Sequence, residues 1–191
     1  MKKDLFRLGL CFVMFSGVMS AGQKTAHDSA RATKPDPCGL LTSADVQAVQ
    51  GDAVQETKPS TQPAGGLVMS QCLFRTASPS KSVSLAIASS GTVSPRTFWQ
   101  KQFHSGNPES EEKDKAASGR KNAKQEEDES TRPRAIKGVG EQAYWVGSPM
   151  VGALYVLNRD TFLRLSVGGV RDESARIEKS IALARLALKR L

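Results

Sequence analysis

The sequence is poor in the residues and patterns on which several protein classes depend. Its 191 residues include three cysteines and two histidines, and aromatic residues make up 6%. It has no glycine period and no sustained heptad, and beyond the N-terminus it has no uncharged apolar run of about 18 or more residues. These absences exclude a collagen, a coiled coil and a multi-span membrane protein. An apolar fraction of 39% still allows a core, and the length suits one modest domain.

Motifs of common catalytic and cofactor sites are missing as well. The sequence shows no spacing of His, Cys and carboxylates suited to zinc, no Walker loop and no Gly-x-Ser-x-Gly nucleophile elbow. Residues 138–143 match the glycine pattern of dinucleotide-binding loops, but a charged segment precedes them, and Tyr144 and Trp145 favour a strand after them. We interpret Gly138 and Gly140 as a bend at a strand entry. We therefore expect neither a cofactor nor a metal.

The N-terminus has the organisation of a secretory signal peptide. Residues 2–7 carry three basic side chains, residues 8–18 are an apolar stretch, and small side chains follow at residues 20–22. The apolar stretch is too short to span a bilayer comfortably. We predict that residues 1–21 are a cleaved signal peptide, and that the product has no stable membrane span and acts in the periplasm or outside the cell.

Cleavage leaves two cysteines, Cys38 and Cys72. An even pair in an exported protein predicts a disulfide. Closing a loop of about 35 residues stabilises a fold by about 4 kcal/mol on the chain-entropy estimate. A catalytic thiol is a weak alternative, because His27 lies in a polar segment and His104 lies at the end of a predicted helix.

Composition divides the chain after the signal peptide into four segments. Residues 22–35 are polar and are predicted to be a disordered arm. Residues 36–104 and 135–191 carry periodic apolar patterns and are predicted to form the two halves of one domain. Residues 105–134 contain seven basic and eight acidic residues with only three alanines, and this composition predicts a disordered, charged linker.

The first half begins with a predicted short helix. Thr42 and Asp45 fit a capping box, and Gly51 fits a left-handed C-cap. Residues 53–57 predict a short strand, and from there to residue 66 we expect a turn region rich in Pro, Ser and Gly.

The rest of this half predicts extended segments and a second helix. Residues 67–76 are predicted to be extended. Val83, Leu85 and Ile87 alternate along one face of a half-buried strand. Ser94, followed by proline, is predicted to cap the second helix.

The second half predicts three strands and a C-terminal helix. The strands are expected at residues 142–146, 152–157 and 162–167, and Asp172 is expected to cap the helix. The apolar stripe of that helix consists of Ile177, Ile181, Ala184, Leu188 and Leu191. Together the elements predict an α+β domain with an antiparallel sheet, helices packed on one face and one disulfide, an order compatible with two related halves.

The chain is basic. Its formal charge of +8 falls to +6 without the three basic and one acidic residues of the signal peptide. Such a surface suits an anionic lipid, a polysaccharide or an envelope protein as partner, with solubility as the simpler interpretation. Nucleic acid is not expected, because the chain is predicted to be exported and has no recognised binding motif.

Aromatic residues concentrate in the second predicted helix and in the strands of the second half. Most such residues belong to cores, but a cleft between helix and sheet would suit a small apolar ligand or a partner's side chain. The candidates for this cleft are Phe98, Trp99, Phe103, Tyr144, Trp145, Tyr155 and Phe162.

Two stretches resemble a broad group of exported bacterial envelope proteins of unknown function, many of them lipid-anchored. Residues 36–42 read Asp-Pro-Cys-Gly-Leu-Leu-Thr, and residues 138–145 precede a strand pair and a final helix. The resemblance covers most of the mature chain and implies an envelope location, a disulfide and a compact α+β domain. The chain departs from the anchored members, because Leu10 stands where lipid attachment at Cys11 needs a small residue. The group supplies no catalytic residues.

These observations predict an exported, soluble binding or interaction module of the bacterial envelope. One alternative is a carrier of a small apolar ligand, and another is a hydrolase of envelope polymers that uses carboxylates. The carboxylates of the folded halves are better explained as caps and turns. They are Asp45, Asp160, Asp172 and Glu173.

Overall fold

The sheet consists of two three-stranded meanders that meet side by side, with one short extra strand. The computed structural model describes residues 35–105 and 132–191. Its strands are β1 (Val54–Ala64), β2 (Leu67–Thr76), β3 (Val83–Ser90), β4 (Arg134–Ala135), β5 (Gln142–Gly147), β6 (Gly152–Asn158) and β7 (Thr161–Val167). Its helices are α1 (Pro37–Leu40), α2 (Ser43–Gln50), α3 (Pro95–His104) and α4 (Glu173–Leu188), with a 3₁₀ turn at Pro79–Lys81.

All neighbouring strands are antiparallel, in the order β1-β2-β3-β7-β6-β5-β4. The predicted α+β class with an antiparallel sheet is confirmed. The two halves of the chain meet at the β3–β7 pair, where Leu85 lies opposite Leu165. Residues from both halves therefore share one core.

The helices are divided between the two faces of the sheet. The larger core packs α1, α2 and α4 against the face that carries Leu85, Leu163 and Leu165. Helix α3 lies on the opposite face, where Trp99 packs on Phe162. Three helices thus share one face as expected, and α3 is separate because its aromatic side chains contact the other side of β6 and β7.

Strand β1 is much longer than the predicted strand at residues 53–57. The region expected to be a turn continues as a strand to Ala64 and pairs with β2 along its length. Its prolines, Pro59 and Pro63, are four residues apart, so both nitrogens point toward the same side of the strand. That side is the free edge of the sheet, where no backbone N–H is needed for a hydrogen bond to a neighbouring strand. A strand exposed at nearly every residue shows no apolar alternation.

A two-residue turn joins β1 to β2. Ala64 pairs with Leu67, and Gly65 and Gly66 between them have φ of 59° and 81°. A type I′ hairpin turn requires positive φ at both central positions, a conformation that glycine adopts without strain. A Cβ on Gly65 would lie 3.1 Å from the ring of Phe98, so the turn also approaches α3 closely.

The predicted helix caps are confirmed. Thr42 and Asp45 form a reciprocal capping box on α2, and Gly51 is left-handed at its end. Ser94 accepts a hydrogen bond from the third helical N–H of α3, and Asp172 does the same on α4.

The buried stripe of α4 differs in part from the predicted one. Ile177 and Ala184 are buried as expected, whereas Ile181 and Leu188 are half-buried. The stripe centres on Ser180, which is 0% exposed and whose hydroxyl donates to the carbonyl oxygen of Arg176 (2.8 Å). A serine can occupy this position because the preceding turn of the helix satisfies its hydroxyl.

Cys38 and Cys72 form the predicted disulfide, which joins α1 to β2. Cys72 is fully buried in the larger core. A disulfide of this kind persists in oxidising compartments such as the periplasm. Among the described residues, no helix is both long and apolar enough to cross a membrane.

The predicted signal peptide (residues 1–21) lies outside the described residues, as do most of the predicted arm (residues 22–35) and linker (residues 105–134). Strand β4 begins at Arg134, the last residue assigned to the linker, and pairs with β5 at the other edge of the sheet. A two-residue strand carries too little pattern to be predicted from composition.

Candidate ligand-binding face

Helix α3 is attached to the sheet by aromatic stacking. Phe103 stacks on Tyr144 of β5 with ring centroids 4.7 Å apart, and Phe98 stacks on Phe162 of β7 at 5.7 Å. Trp99 lies between them and is 5.8 Å from both sheet rings, Tyr144 and Phe162. Offset and tilted pairs of this kind are favourable beyond the area that they bury.

The Trp99 side chain is part of a solid core. It is 0% exposed, and its Nε1 donates to Oε1 of Gln142 (2.8 Å). The Nε2 atom of His104 lies 2.8 Å from the same oxygen. Gln142, the first residue of β5, therefore contacts the middle and the C-terminal end of α3.

Six of the seven aromatic residues predicted for a cleft are together on this face, and Trp145 is not. Tyr144 and Trp145 are consecutive on β5, so they point to opposite faces. Trp145 is buried in the larger core, where its Nε1 donates to Glu173 of α4 (2.7 Å). The prediction that Trp145 lines the cleft is therefore wrong, because strand alternation places its side chain on the other face of the sheet.

The N-terminal end of α3 is held by one arginine. The Nη2 of Arg96 donates to Glu141 Oε2 (2.9 Å) and to the carbonyl oxygen of Arg159 (2.7 Å) in the β6–β7 turn. The hydrogen bond from Arg96, with a second from the Arg159 N–H, holds the pKa of Glu141 below its ordinary value. The helix is thereby fixed over one end of this face, where Leu67 of β2 and Ala88 of β3 also pack in its aromatic cluster, and it leaves the rest of β2 and β3 uncovered.

We call the uncovered part of this sheet surface the open face. Its central row runs from Gln71 of β2 through Ala86 of β3 and Arg164 of β7 to Tyr155 of β6. The next row contains Leu73 of β2, Ser84 of β3 and Ser166 of β7. Apart from buried Ala86, these side chains are half-buried.

An apolar pocket lies where the open face meets α3. Its volume is about 320 Å³, and it is bounded by Leu67 and Met69 of β2, Phe98 of α3 and Phe162 of β7. The glycine turn after β1 forms its outer wall. The geometry suits one small apolar group or chain, because ligand pockets usually start at about this volume.

Arg164 stands at the inner end of the apolar pocket. Its Nε donates to the hydroxyl oxygen of Tyr155 (3.1 Å), and its guanidinium carbon lies 5.9 Å from the centroid of the same ring. Within residues 35–105 and 132–191, Arg164 takes part in no ion pair. The remaining guanidinium donors have no hydrogen-bond partner in that part of the chain.

A second pocket begins on the other side of Arg164 and Tyr155. Its volume is about 620 Å³, and it reaches Ser84, Ser166 and the loop between β5 and β6. That loop carries Met150 and Val151, which are 84% and 70% exposed. Arg164 and Tyr155 line both pockets, so the two pockets adjoin at these side chains on the open face.

A buried arginine forms the base of the second pocket. Arg176 of α4 is 2% exposed and donates to carbonyl oxygens on both sides of the pocket. The acceptors are Val170 (3.1 Å), Arg171 (3.3 Å), Ser148 (3.4 Å) and Pro149 (2.6 Å). Carbonyl dipoles compensate part of the cost of burying this charge, and the contacts fix the β5–β6 loop against α4.

Three of the four carboxylates predicted to be caps and turns have those roles, and Glu173 has a different one. Asp45 and Asp172 cap helices, and Asp160 lies in the β6–β7 turn with its side chain 91% exposed. Glu173 accepts from Trp145. In the described ranges, no group of three or more His, Cys, Asp or Glu residues could hold a metal ion.

Sequence reasoning identified the aromatic cluster and missed Arg164. The available signal was an arginine between Leu163 and Leu165, which the alternation of β7 places on the face opposite the larger core. Which side chains surround it depends on pairing with β3 and β6, and those strands are distant in the sequence.

Comparisons of the chain with protein-family models, with curated proteins and with solved structures found no match. The resemblance of residues 36–42 and 138–145 to exported envelope proteins therefore remains a prediction.

Proposed function

We propose that the protein is an exported binding module of the bacterial envelope, and that it binds its ligand on the open face. The observation that carries this proposal is the pair of adjoining pockets that share Arg164 and Tyr155. A sheet side that leaves Leu73 and Arg164 accessible while the opposite side is covered by three helices has the form of a binding surface.

Export is supported by two observations. The N-terminal pattern of residues 1–21 is that of a signal peptide, and Cys38 and Cys72 are joined in a disulfide. The resemblance of residues 36–42 to envelope proteins supports the same location. Cell fractionation followed by intact-mass measurement tests it, with the expected product located outside the cytoplasm and shortened by residues 1–21. A full-length, reduced protein in the cytoplasm would contradict export.

The carrier of a small apolar ligand is a second candidate, because the pocket between Leu67, Met69, Phe98 and Phe162 is apolar. Native mass spectrometry of the protein purified from its own compartment tests this candidate. We expect a bound species that is released on unfolding. A mass equal to that of the bare chain would count against the carrier.

Amide chemical shifts locate the binding surface for either candidate. The probes are vesicles of anionic phospholipid, soluble peptidoglycan fragments and decyl glucoside, each titrated into the labelled protein. We expect the largest shifts at Gln71, Ser84 and Arg164 for at least one probe. Shifts confined to the exposed side of α4, around Glu178 and Arg185, would overturn the assignment of the open face.

A further inference from the structure

We propose that the ligand of the open face is a single-chain anionic amphiphile, whose alkyl chain lies in the apolar pocket and whose anionic head group is bound by Arg164 and Tyr155. This inference rests on the proposed function and adds the chemical class of the ligand. It requires three features in one place: an apolar site, an available cation and no competing carboxylate.

The apolar site is the pocket of about 320 Å³. Its walls come from Leu67, Met69, Phe98 and Phe162, so an alkyl chain would contact side chains of β2, α3 and β7. Gly65 brings the β1–β2 turn close to Phe98 and narrows the outer end. A pocket of about 320 Å³ lies at the small end of ligand pockets, so it suits one alkyl chain.

The cation is Arg164. Its Nε is used by Tyr155, and a guanidinium has four further N–H donors on its two terminal nitrogens. The Tyr155 hydroxyl accepts from Arg164 through its oxygen, so its own hydrogen can be donated to a third group. An anionic oxygen beside both side chains would therefore receive charge-assisted hydrogen bonds from two residues.

The electrostatic environment favours an anion over a neutral or cationic head group. In the described part of the chain, the residues that line the two pockets include Arg164 and Arg176 and no aspartate or glutamate. Glu56, on the same face of β1, is already paired with Arg75 (3.1 Å) and Lys58 (3.4 Å). The potential at Arg164 is thus positive.

Ser84 carries a buried hydroxyl close to Arg164. Its Oγ is buried and has no hydrogen-bond partner in the described part of the chain. It lies one row from Arg164, because Ser84 pairs with Ser166 and Ala86 pairs with Arg164. Because this oxygen is shielded from solvent, Ser84 is not counted among the contacts of the proposed head group.

The test uses four probes with the purified protein, each below its micelle concentration. Decanoate and decyl phosphate carry the chain with two anionic head groups, decyl glucoside carries the same chain without charge, and butyrate carries the charge with almost no chain. Calorimetry gives the affinities. We expect an anionic decyl probe to bind at least about tenfold more tightly than decyl glucoside and butyrate. The stronger of decanoate and decyl phosphate identifies the head group.

Substitution then assigns the recognition to one residue. Arg164→Gln is expected to weaken the binding of the anionic probe ~10- to 100-fold and to leave the affinity for decyl glucoside unchanged. Arg185→Gln, an equal change of charge at an exposed position of α4, is expected to change neither. Tyr155→Phe keeps the ring and removes only the hydroxyl, so it tests the same contact with little effect on packing.

The outcomes separate this inference from the proposed function. Equal binding of decyl glucoside and the anionic probes at the open face would overturn the anionic class and keep a binding module for an apolar ligand. Equal losses from Arg164→Gln and Arg185→Gln would also overturn it, because the effect would then be one of net charge. If peptidoglycan fragments alone shift the open-face amides, the amphiphile is wrong and the binding face is right. Shifts confined to α4 reject both.

Discussion

The guanidinium of Arg190, two residues after α4, lies 2.7 Å from Oδ2 of Asp45 at the start of α2. The same arginine nitrogen also donates to the carbonyl oxygen of Leu40 (2.9 Å). The hydrogen bond from Arg190 lowers the pKa of Asp45 from 3.8 to about 2, with a smaller contribution from the Thr42 N–H.

Lowering the pH should therefore remove the contribution of Asp45 to the free energy of unfolding. A carboxyl group with a lowered pKa stabilises the fold above its unfolded pKa, and this contribution disappears as the pH falls from about 4 to about 2. We expect Asp45→Asn to lower the free energy of unfolding by about 1 kcal/mol at neutral pH, since solvent screens part of the interaction. Urea unfolding of both proteins from about pH 6 to about pH 2 should show the two curves converging.

The matched control for Asp45→Asn is Asp160→Asn. The Asp160 side chain is 91% exposed, so its removal should leave the acid dependence as it is in the parent protein. Parallel curves for Asp45→Asn and the parent protein over the whole pH range would contradict a role for the Arg190 contact.

Loss of the disulfide should destabilise the domain strongly. The bond closes a loop with a sequence separation of 34, for which the chain-entropy estimate is about 4 kcal/mol. The double variant Cys38→Ser, Cys72→Ser and the reduced parent protein are both expected to unfold at lower denaturant concentration, by amounts that agree. Two titratable thiols in the unfolded, unreduced protein would show that the bond is absent.

Arg176 should stabilise the fold through its hydrogen bonds to backbone carbonyl oxygens. Arg176→Met removes four hydrogen bonds to carbonyl oxygens around the second pocket, and we expect a loss of about 2 to 3 kcal/mol. Hydrogen exchange should also become faster in the β5–β6 loop. Arg185→Met, which removes one 3.3 Å contact to Gly138, is the control and should cost less than about 0.5 kcal/mol. Similar losses for both variants would argue against the network.

Gln142 should couple α3 to the sheet. Gln142→Ala removes the only described acceptor of the buried Trp99 N–H and the contact with His104, so we expect about 1 to 2 kcal/mol of destabilisation and a changed Trp99 fluorescence. Gln100→Ala alters an exposed residue of α3 and provides the comparison. Unchanged fluorescence in Gln142→Ala would contradict the contact.

Gly66 should resist substitution more than a glycine of ordinary conformation. Its φ is 81°, and a Cβ would lie 2.9 Å from side-chain atoms of Thr92 and Val93. We expect Gly66→Ala to cost about 1 kcal/mol or more, measured by thermal unfolding. Gly39→Ala, whose nearest contact would be at 3.9 Å, should be close to neutral. Equal effects would contradict the turn geometry.

Local signals in the sequence were sufficient for the caps and the core strands. Thr42, Ser94 and Asp172 cap helices because their side chains contact residues only three positions away, and such contacts can be read from spacing. The alternation of Val83, Leu85 and Ile87 likewise identifies the buried face of β3. The disulfide followed from the cysteine count.

Features that depend on distant pairing could not be predicted in this way. Periodicity shows which side of α3 is apolar and cannot show which face of the sheet that side covers. The length of β1 was hidden because an edge strand with exposed side chains has no apolar alternation. The surroundings of Arg164 come from β3 and β6, so the candidate site emerges only from the register of the sheet.

The Cys38–Cys72 bond also determines how the domain bears mechanical load. Residues between the two cysteines, including α2 and β1, form a closed covalent ring, so tension applied at the chain ends crosses the sulfur–sulfur bond and bypasses them. When the protein is unfolded by stretching, the contour length released should be about 120 Å shorter for the oxidised protein than for the reduced one. The ring therefore shields the outer edge of the sheet from force transmitted along the chain.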